Sequence, residues 1–242
     1  MFDKVLRQIK EAKKIVFVTG AGISQESGIP TFRGKDGLWR NYDPMQLATI
    51  DALYQNPKLV WEWYEERRRN ILTAKPNDGH VAISDIAKYK EVIVITQNID
   101  GLHQRAGSNN VFELHGSIIR IKCTACEYRG NITTSFDVLP PKCECGNMLR
   151  PDVVWFGEPL PQDVWTQAIM HAQSCDLMII AGTSLVVSPA NTIPLYAKQN
   201  GATLIEVNPE ETIMSDHMNL SVRETSAKAL PLISALFKNS QN

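Results

Sequence analysis

The apolar residues of this chain gather in short unbroken runs, separated by longer stretches of helical spacing. The clearest run is Ile15-Val16-Phe17-Val18, which ends at Thr19 and is stopped by Gly20. Its β-branched residues and abrupt glycine predict a buried parallel strand. Residues 92–96, 177–181 and 203–207 have the same character, and helical patterns lie between several of them. Residues 2–13 predict a first helix, with Val5, Leu6 and Ile9 on one side. The alternation predicts an α/β fold, a parallel sheet with helices on both faces.

Two segments break the alternation. Residues 42–80 contain the helical-looking stretch WEWYEERRRNIL, while residues 120–151 are poor in helix signal and rich in Cys, Pro and Gly. Both read as parts of a smaller module inserted into the sheet domain, which then comprises 1–41, 81–119 and 152–242.

Composition narrows the class. Lys plus Arg total 25 and Asp plus Glu total 26, for a net charge of -1. That near-neutrality does not support a broad nucleic-acid surface. No apolar run is long enough for a membrane span. The amino-terminal MFDKVLRQIKEAKK is charged throughout, unlike a secretory signal. A cytoplasmic location is expected. Of the five cysteines, Cys123, Cys126, Cys143 and Cys145 cluster and Cys175 stands apart. An odd count with no export signal favours a reduced compartment and a metal site over disulfides.

The cluster is Cys123-x-x-Cys126 followed by Cys143-x-Cys145. Two short chelating pairs brought together suit one structural zinc, whose four thiolates leave no open position for chemistry. A pair of redox thiols is the alternative. Cys175 reads as an inert thiol.

The turn after the first strand runs Thr19-Gly20-Ala21-Gly22-Ile23-Ser24. Strand then Gly-x-Gly begins a dinucleotide site, because exposed amides can meet a pyrophosphate at close range. The spacing departs from Gly-x-Gly-x-x-Gly, since Gln25 stands third and Gly28 comes later. An ordinary strand-to-helix turn is the competing reading. Beyond it lies a polar loop with Phe32, Arg33, Asp36 and Trp39. Polar groups recur after other strands: Gln97-Asn98-Ile99-Asp100, Gly182-Thr183-Ser184 and Asn208-Pro209-Glu210. Open parallel sheets place ligands at such ends, although Asn and Asp also cap loops. His115 is either a core histidine or a general base beside a ligand.

Taken in order, Gly20 to Ser24, Arg33, Gln97 to Asp100, His115-Gly116, both cysteine pairs, Val153 to Glu158, Gly182 to Ser184 and Asn208 to Glu210 closely resemble the sirtuins. The resemblance implies a Rossmann-like domain and a small helical and zinc-binding domain, with NAD and an acyl-lysine peptide meeting between them. It implies removal of acyl groups from protein lysines, releasing nicotinamide and O-acyl-ADP-ribose, so that NAD is consumed. It places Gly20, Ala21 and Gly22 at the phosphates and Phe32, Arg33 and Trp39 in the cofactor-binding loop. Gln97 and Asn98 fall at the nicotinamide ribose, and Ile99 and Asp100 at the carboxamide. Gly182, Thr183, Ser184, Asn208, Pro209 and Glu210 line the adenosine side, with Ala227 near adenine. His115 is the implied base, with Asn98 also catalytic. Val153, Val154, Trp155, Phe156 and Gly157 pair with the substrate backbone.

Tyr64 and Arg67 resemble the pair that reads acidic acyl groups in the desuccinylase branch. Spaced three apart on one helix, they offer a guanidinium fork and a phenol to a carboxylate. Succinyl and malonyl then join acetyl as expected substrates. A solvated run from Arg67 to Arg69 is the alternative, and so, for the whole chain, are another NAD-using enzyme and a non-catalytic binding module.

Overall fold

The computed structural model describes residues 2–32, 37–41, 43–132 and 134–238, without the side chain of Trp39. Its strands are β1 Lys14–Thr19, β2 Glu91–Thr96, β3 Val111–Glu113, β4 Gly116–Cys123, β5 Arg129–Asn131, β6 Leu149–Val153, β7 Leu177–Ala181, β8 Thr203–Val207 and β9 Leu220–Val222. Its α-helices are α1 Leu6–Glu11, α2 Pro44–Leu47, α3 Ile50–Gln55, α4 Pro57–Thr73, α5 Asp78–Ile86, α6 Leu102–Arg105, α7 Gln162–Gln173, α8 Ile193–Gln199 and α9 Ser226–Lys238.

Six strands form a parallel sheet in the order β3-β2-β1-β7-β8-β9. Alternate residues of β1 serve different cores. Ile15 and Phe17 face a cluster with Ile83, Leu230 and Phe237 of α5 and α9, while Val16 and Val18 face one with Ala168, Ala172 and Ile193 of α7 and α8. Burial on both faces is why these strands read as unbroken apolar runs. The four expected strands form, each within a residue of its expected bounds. β3 and β9 are three residues long, too short to show a period. The first helix is shorter than expected: a 3-10 turn at Asp3–Val5 precedes α1.

A second, antiparallel sheet has the order β5-β4-β6 and packs against α2 to α4. Leu53, Val60, Trp61, Ile121, Leu149 and Trp155 share that core. Pro57 and the Asn56 side chain, which accepts from the Leu59 amide, start α4. Residues 120–151 lack helix signal because they form this sheet and its cysteine-bearing turns. Among the described residues, no helix is long and apolar enough to cross a membrane.

Candidate active site

The parallel sheet reverses its winding between β1 and β7. From β1 the chain builds towards β2 and β3, and from β7 towards β8 and β9. The carboxyl ends of β1 and β7 therefore frame the crevice where open α/β sheets hold ligands. Gly22 donates its amide to the Gly182 carbonyl at 2.8 Å. A Cβ on Gly20 would lie 2.7 Å from Thr183 Cβ, and one on Gly22 would lie 2.8 Å from Gly182 Cα. Gly182 itself has φ +62. The glycines thus let two backbone turns touch, and leave a floor without side chains. Residues Ala21–Ser27 form a 3-10 helix ended by Gly28 at φ +83. No α-helix packs directly after β1, so the third glycine of the usual spacing has no task here.

Polar side chains converge beside this floor. Asn98 Nδ2 donates to the Gly20 carbonyl at 3.1 Å and to Ser24 Oγ at 3.2 Å. Ser24 Oγ donates to Asp100 Oδ2 at 2.7 Å. His80 Nδ1 accepts from the Asn77 amide at 3.3 Å, which leaves Nε2–H to donate to Ser24 Oγ at 3.3 Å. His103 lies 4.9 Å from the His80 ring and bonds Thr19 Oγ1, which in turn donates to Thr96 Oγ1. Burial raises the Asp100 pKa. It pulls His80 down to about 4 and His103 to about 3. His80 and His103 escaped the sequence reading; the signal for His80 was Asn77-x-x-His80 ahead of an apolar helix, a capping box.

These two histidines make the fold acid-labile. Both are neutral when folded, and each takes a proton near pH 6.5 when unfolded. Stability is full above that value and falls as pH drops towards their folded pKa values, by up to about 1.4 kcal/mol per pH unit each. Urea melts at pH 7 and pH 5 check this; an unchanged midpoint would contradict it.

His115 sits half-buried at the end of β3, and its Nδ1–H donates to the Gln97 carbonyl at 2.9 Å. That bond leaves the Nε2 lone pair as the acceptor. Burial, the larger influence, lowers its pKa and keeps it neutral. Gln97 Nε2 donates to Thr183 Oγ1 at 3.0 Å, linking the β2 and β7 ends. Gly116 has φ +74, and a Cβ there would meet the Asp152 carbonyl at 2.1 Å. The close approach it permits is therefore to β6.

The basic run on α4 divides three ways. Arg68 pairs with buried Glu65 at 2.6 Å and 2.9 Å, and the Arg69 side chain is 65% exposed. Arg67 is 8% exposed, lies 4.7 Å from the centroids of both Phe32 and Trp63, and its buried Nε has no hydrogen-bond partner. Burial lowers its pKa to about 10, so it stays charged at neutral pH. It lines a cleft with Ile29, Pro30, Leu38, Trp63, Glu66, Asn70 and Ile71. Tyr64, also buried, accepts from Trp155 Nε1 at 2.8 Å, and burial lifts its pKa to about 12. The solvated-run reading of Arg67 is overturned.

Along 153–157, the Val154 amide donates to the His115 carbonyl, the Trp155 amide to Glu158, and the Phe156 amide to the Ala48 carbonyl, each at 2.9 Å. Ile99 accepts from the Ile118 amide at 3.0 Å. Ser184, Pro209 and Glu210 are exposed beyond β7 and β8, and Asn208 Nδ2 donates to the Glu210 carbonyl at 2.8 Å. The Ala227 amide donates to Glu26 Oε2 at 2.9 Å. Arg33 and the Trp39 side chain lie outside the described residues.

At the far end of the small sheet, the four thiols of Cys123, Cys126, Cys143 and Cys145 lie within 4.8 Å of one another. Cys123 and Cys145 are 3.5 Å apart, Cys126 and Cys143 3.7 Å. A tetrahedron with metal–sulfur bonds of about 2.3 Å has edges of about 3.8 Å, so the donor set fits one zinc. Gly146, at φ +85, makes the tight Cys143-x-Cys145 turn possible. Gly130 lies in β5.

The Sir2 family pattern matches residues 20–189. The chain belongs to the Sir2 family. Among its Sir2 relatives is NAD-dependent protein deacylase 1 of Caldanaerobacter subterraneus subsp. tengcongensis, 53% identical over 221 residues, 90% of this chain and 91% of that one. The NAD-dependent protein deacylase of Aquifex aeolicus is 50% identical over 223 residues, 91% and 93% of the two chains. A Sir2 homologue–NAD complex superimposes with TM-score 0.94 at 42% identity, covering 100% of this chain and 96% of that one. A Sir2–p53 peptide–NAD+ complex gives 0.86 at 36% identity, with 100% and 99% covered.

Proposed function

We propose that this Sir2 protein removes acyl groups from protein lysines in an NAD-dependent reaction, with the division into 1–41, 81–119 and 152–242 for the NAD domain and 42–80 and 120–151 for the small one. The observation that carries this is His115: neutral, its Nδ1–H spent on the Gln97 carbonyl and its Nε2 left to accept a proton. NAD supplies the ADP-ribose to which the acyl group passes as nicotinamide leaves. His115 Nε2 takes a ribose hydroxyl proton. Asn98, Asp100 and Ser24, already bonded to one another, orient the nicotinamide half. The Gly20-Gly22 and Gly182 floor receives the phosphates; a Cβ at any of the three would force its two turns apart. Residues 208–210 and Ala227 flank the adenosine. In 153–157 three amides are engaged internally, so strand addition by an acylated peptide relies on the carbonyls of this segment or displaces those bonds. The four cysteines hold a structural zinc. Peptides carrying acetyl- or succinyl-lysine, incubated with and without NAD, test the reaction; no NAD-dependent loss of acyl would refute it.

Acidic acyl groups are a specific part of this reading. The buried Arg67 Nε–H without a hydrogen-bond partner carries an unsatisfied-donor cost of about 1–3 kcal/mol, and a substrate carboxylate relieves it. Arg67→Met is expected to raise KM for succinyl-lysine about 30-fold, corresponding to about 2 kcal/mol, and to affect acetyl-lysine far less. Equal effects on the two would remove the assignment.

A further inference from the structure

The Tyr64 phenol has one hydrogen, and its oxygen already accepts from the Trp155 indole at 2.8 Å. No described residue accepts that hydrogen. Arg67, one helical turn on, has a buried Nε without a hydrogen-bond partner. We propose that Trp155 is a positioning residue for acyl selectivity: its indole N–H holds the Tyr64 oxygen so that the phenol hydrogen is presented, together with Arg67, to a substrate carboxylate. This rests on the acidic-acyl reading above and adds a residue that does not itself meet the carboxylate.

The indole is locked on several sides. Trp155 is 2% exposed, and Arg150 Cζ lies 3.5 Å from its ring centroid. Arg150 donates to both Glu158 carboxylate oxygens, at 2.5 Å and 2.8 Å, and to the Val153 carbonyl at 2.8 Å. Glu158 in turn accepts the Trp155 amide at 2.9 Å. The Tyr64 and Trp155 ring centroids are 6.1 Å apart with a 40° tilt, so the contact is the edge hydrogen bond and not stacking. A hydroxyl whose lone pair is taken from one side directs its hydrogen elsewhere. Without the indole N–H, the phenol hydrogen is free to turn away from Arg67. Because Trp155 belongs to the segment assigned to the peptide backbone, the strand that seats the substrate also sets the reading of its acyl charge.

The test is kcat/KM for succinyl- and acetyl-lysine peptides of one sequence at saturating NAD. Trp155→Phe is expected to lower the succinyl-to-acetyl ratio about tenfold. Tyr64→Phe lowers it at least as far, and adding Trp155→Phe to Tyr64→Phe lowers it no further, because the hydroxyl through which Trp155 acts is gone. A ratio unchanged by Trp155→Phe, or a further fall in the double variant, overturns the proposal. If Trp155→Phe does not fold, benzothienylalanine at position 155 keeps the bicyclic shape without the N–H and takes the same readout. Arg67→Met separates the two levels. If it discriminates between the peptides and Trp155→Phe does not, the positioning role alone fails; if it does not discriminate, the acidic-acyl reading fails and the positioning role with it.

Discussion

Replacing His115 by Tyr is expected to lower kcat about 10²- to 10⁴-fold, the range for losing a positioned general base, while NAD binding survives. The sparing of binding follows from geometry. The contacts proposed for the nicotinamide half run through Asn98, Ser24 and Asp100, and the proposed phosphate floor is backbone; none of the bonds among these residues includes the His115 ring. The His115 backbone keeps its bond to Val154 whatever the side chain. The pH profile gives the same residue a second test. A base works deprotonated, and burial lowers the His115 pKa. The acid limb of kcat/KM therefore falls at a pH below that of an ordinary histidine, and disappears from the residual activity of the Tyr variant. Calorimetric NAD titration beside peptide kinetics checks both parts; an unchanged kcat would remove the base role.

Stripping the zinc is expected to do comparable damage by another route. The four thiols tie the β4 end to the turns at Cys126 and Cys143–Cys145, where two of them are buried against the small sheet. Structural zinc contributes roughly 10–16 kcal/mol in small zinc-binding peptides at neutral pH, far more than this three-stranded sheet can replace. A strong chelator, or Cys126→Ser, should lower the melting temperature and abolish turnover together, with activity returning on added zinc to the chelated parent. β4 spans about 23 Å between Gly116 and Cys123 at strand rise, so the metal acts on activity only through the fold. Full activity in metal-free protein would refute the structural role.

The sequence disclosed these features unevenly, for physical reasons. Strands buried on both faces announce themselves as apolar runs, and β1, β2, β7 and β8 were legible for that reason. The small sheet was not: β5 has three residues, and β4 is irregular between Ser117 and Ile121, so neither keeps a clean alternation. The glycine turn was recognisable, but its cause was not. Spacing suggests room for a pyrophosphate; the contact of Gly22 with Gly182, far away in sequence, needs three dimensions. Arg67, Arg68 and Arg69 look alike in one dimension, yet Arg67 is buried with its Nε unbonded, Arg68 is buried against Glu65, and Arg69 pairs with Glu65 from a mostly exposed position. His103 hid because an isolated histidine carries no pattern, and the capping-box position of His80 gave no hint of its partners; only the packing of α5 and α6 brings the two together.

The hydrogen bond between the His115 carbonyl and the Val154 amide joins the proposed base and the proposed peptide-seating segment through main chain alone. The backbone link involves no side chain, and the remaining freedom, the His115 rotamer, is held by the Nδ1–H bond to the Gln97 carbonyl. A catalyst built this way aligns its proton acceptor with any polypeptide that can lie along 153–157, whatever residues flank the lysine. On the proposed function, breadth across targets is expected to be a property of the scaffold, with discrimination left to the few side chains that meet the acyl group. Altering target range by substitution at the seat should be hard; altering which acyl group is removed should be easy.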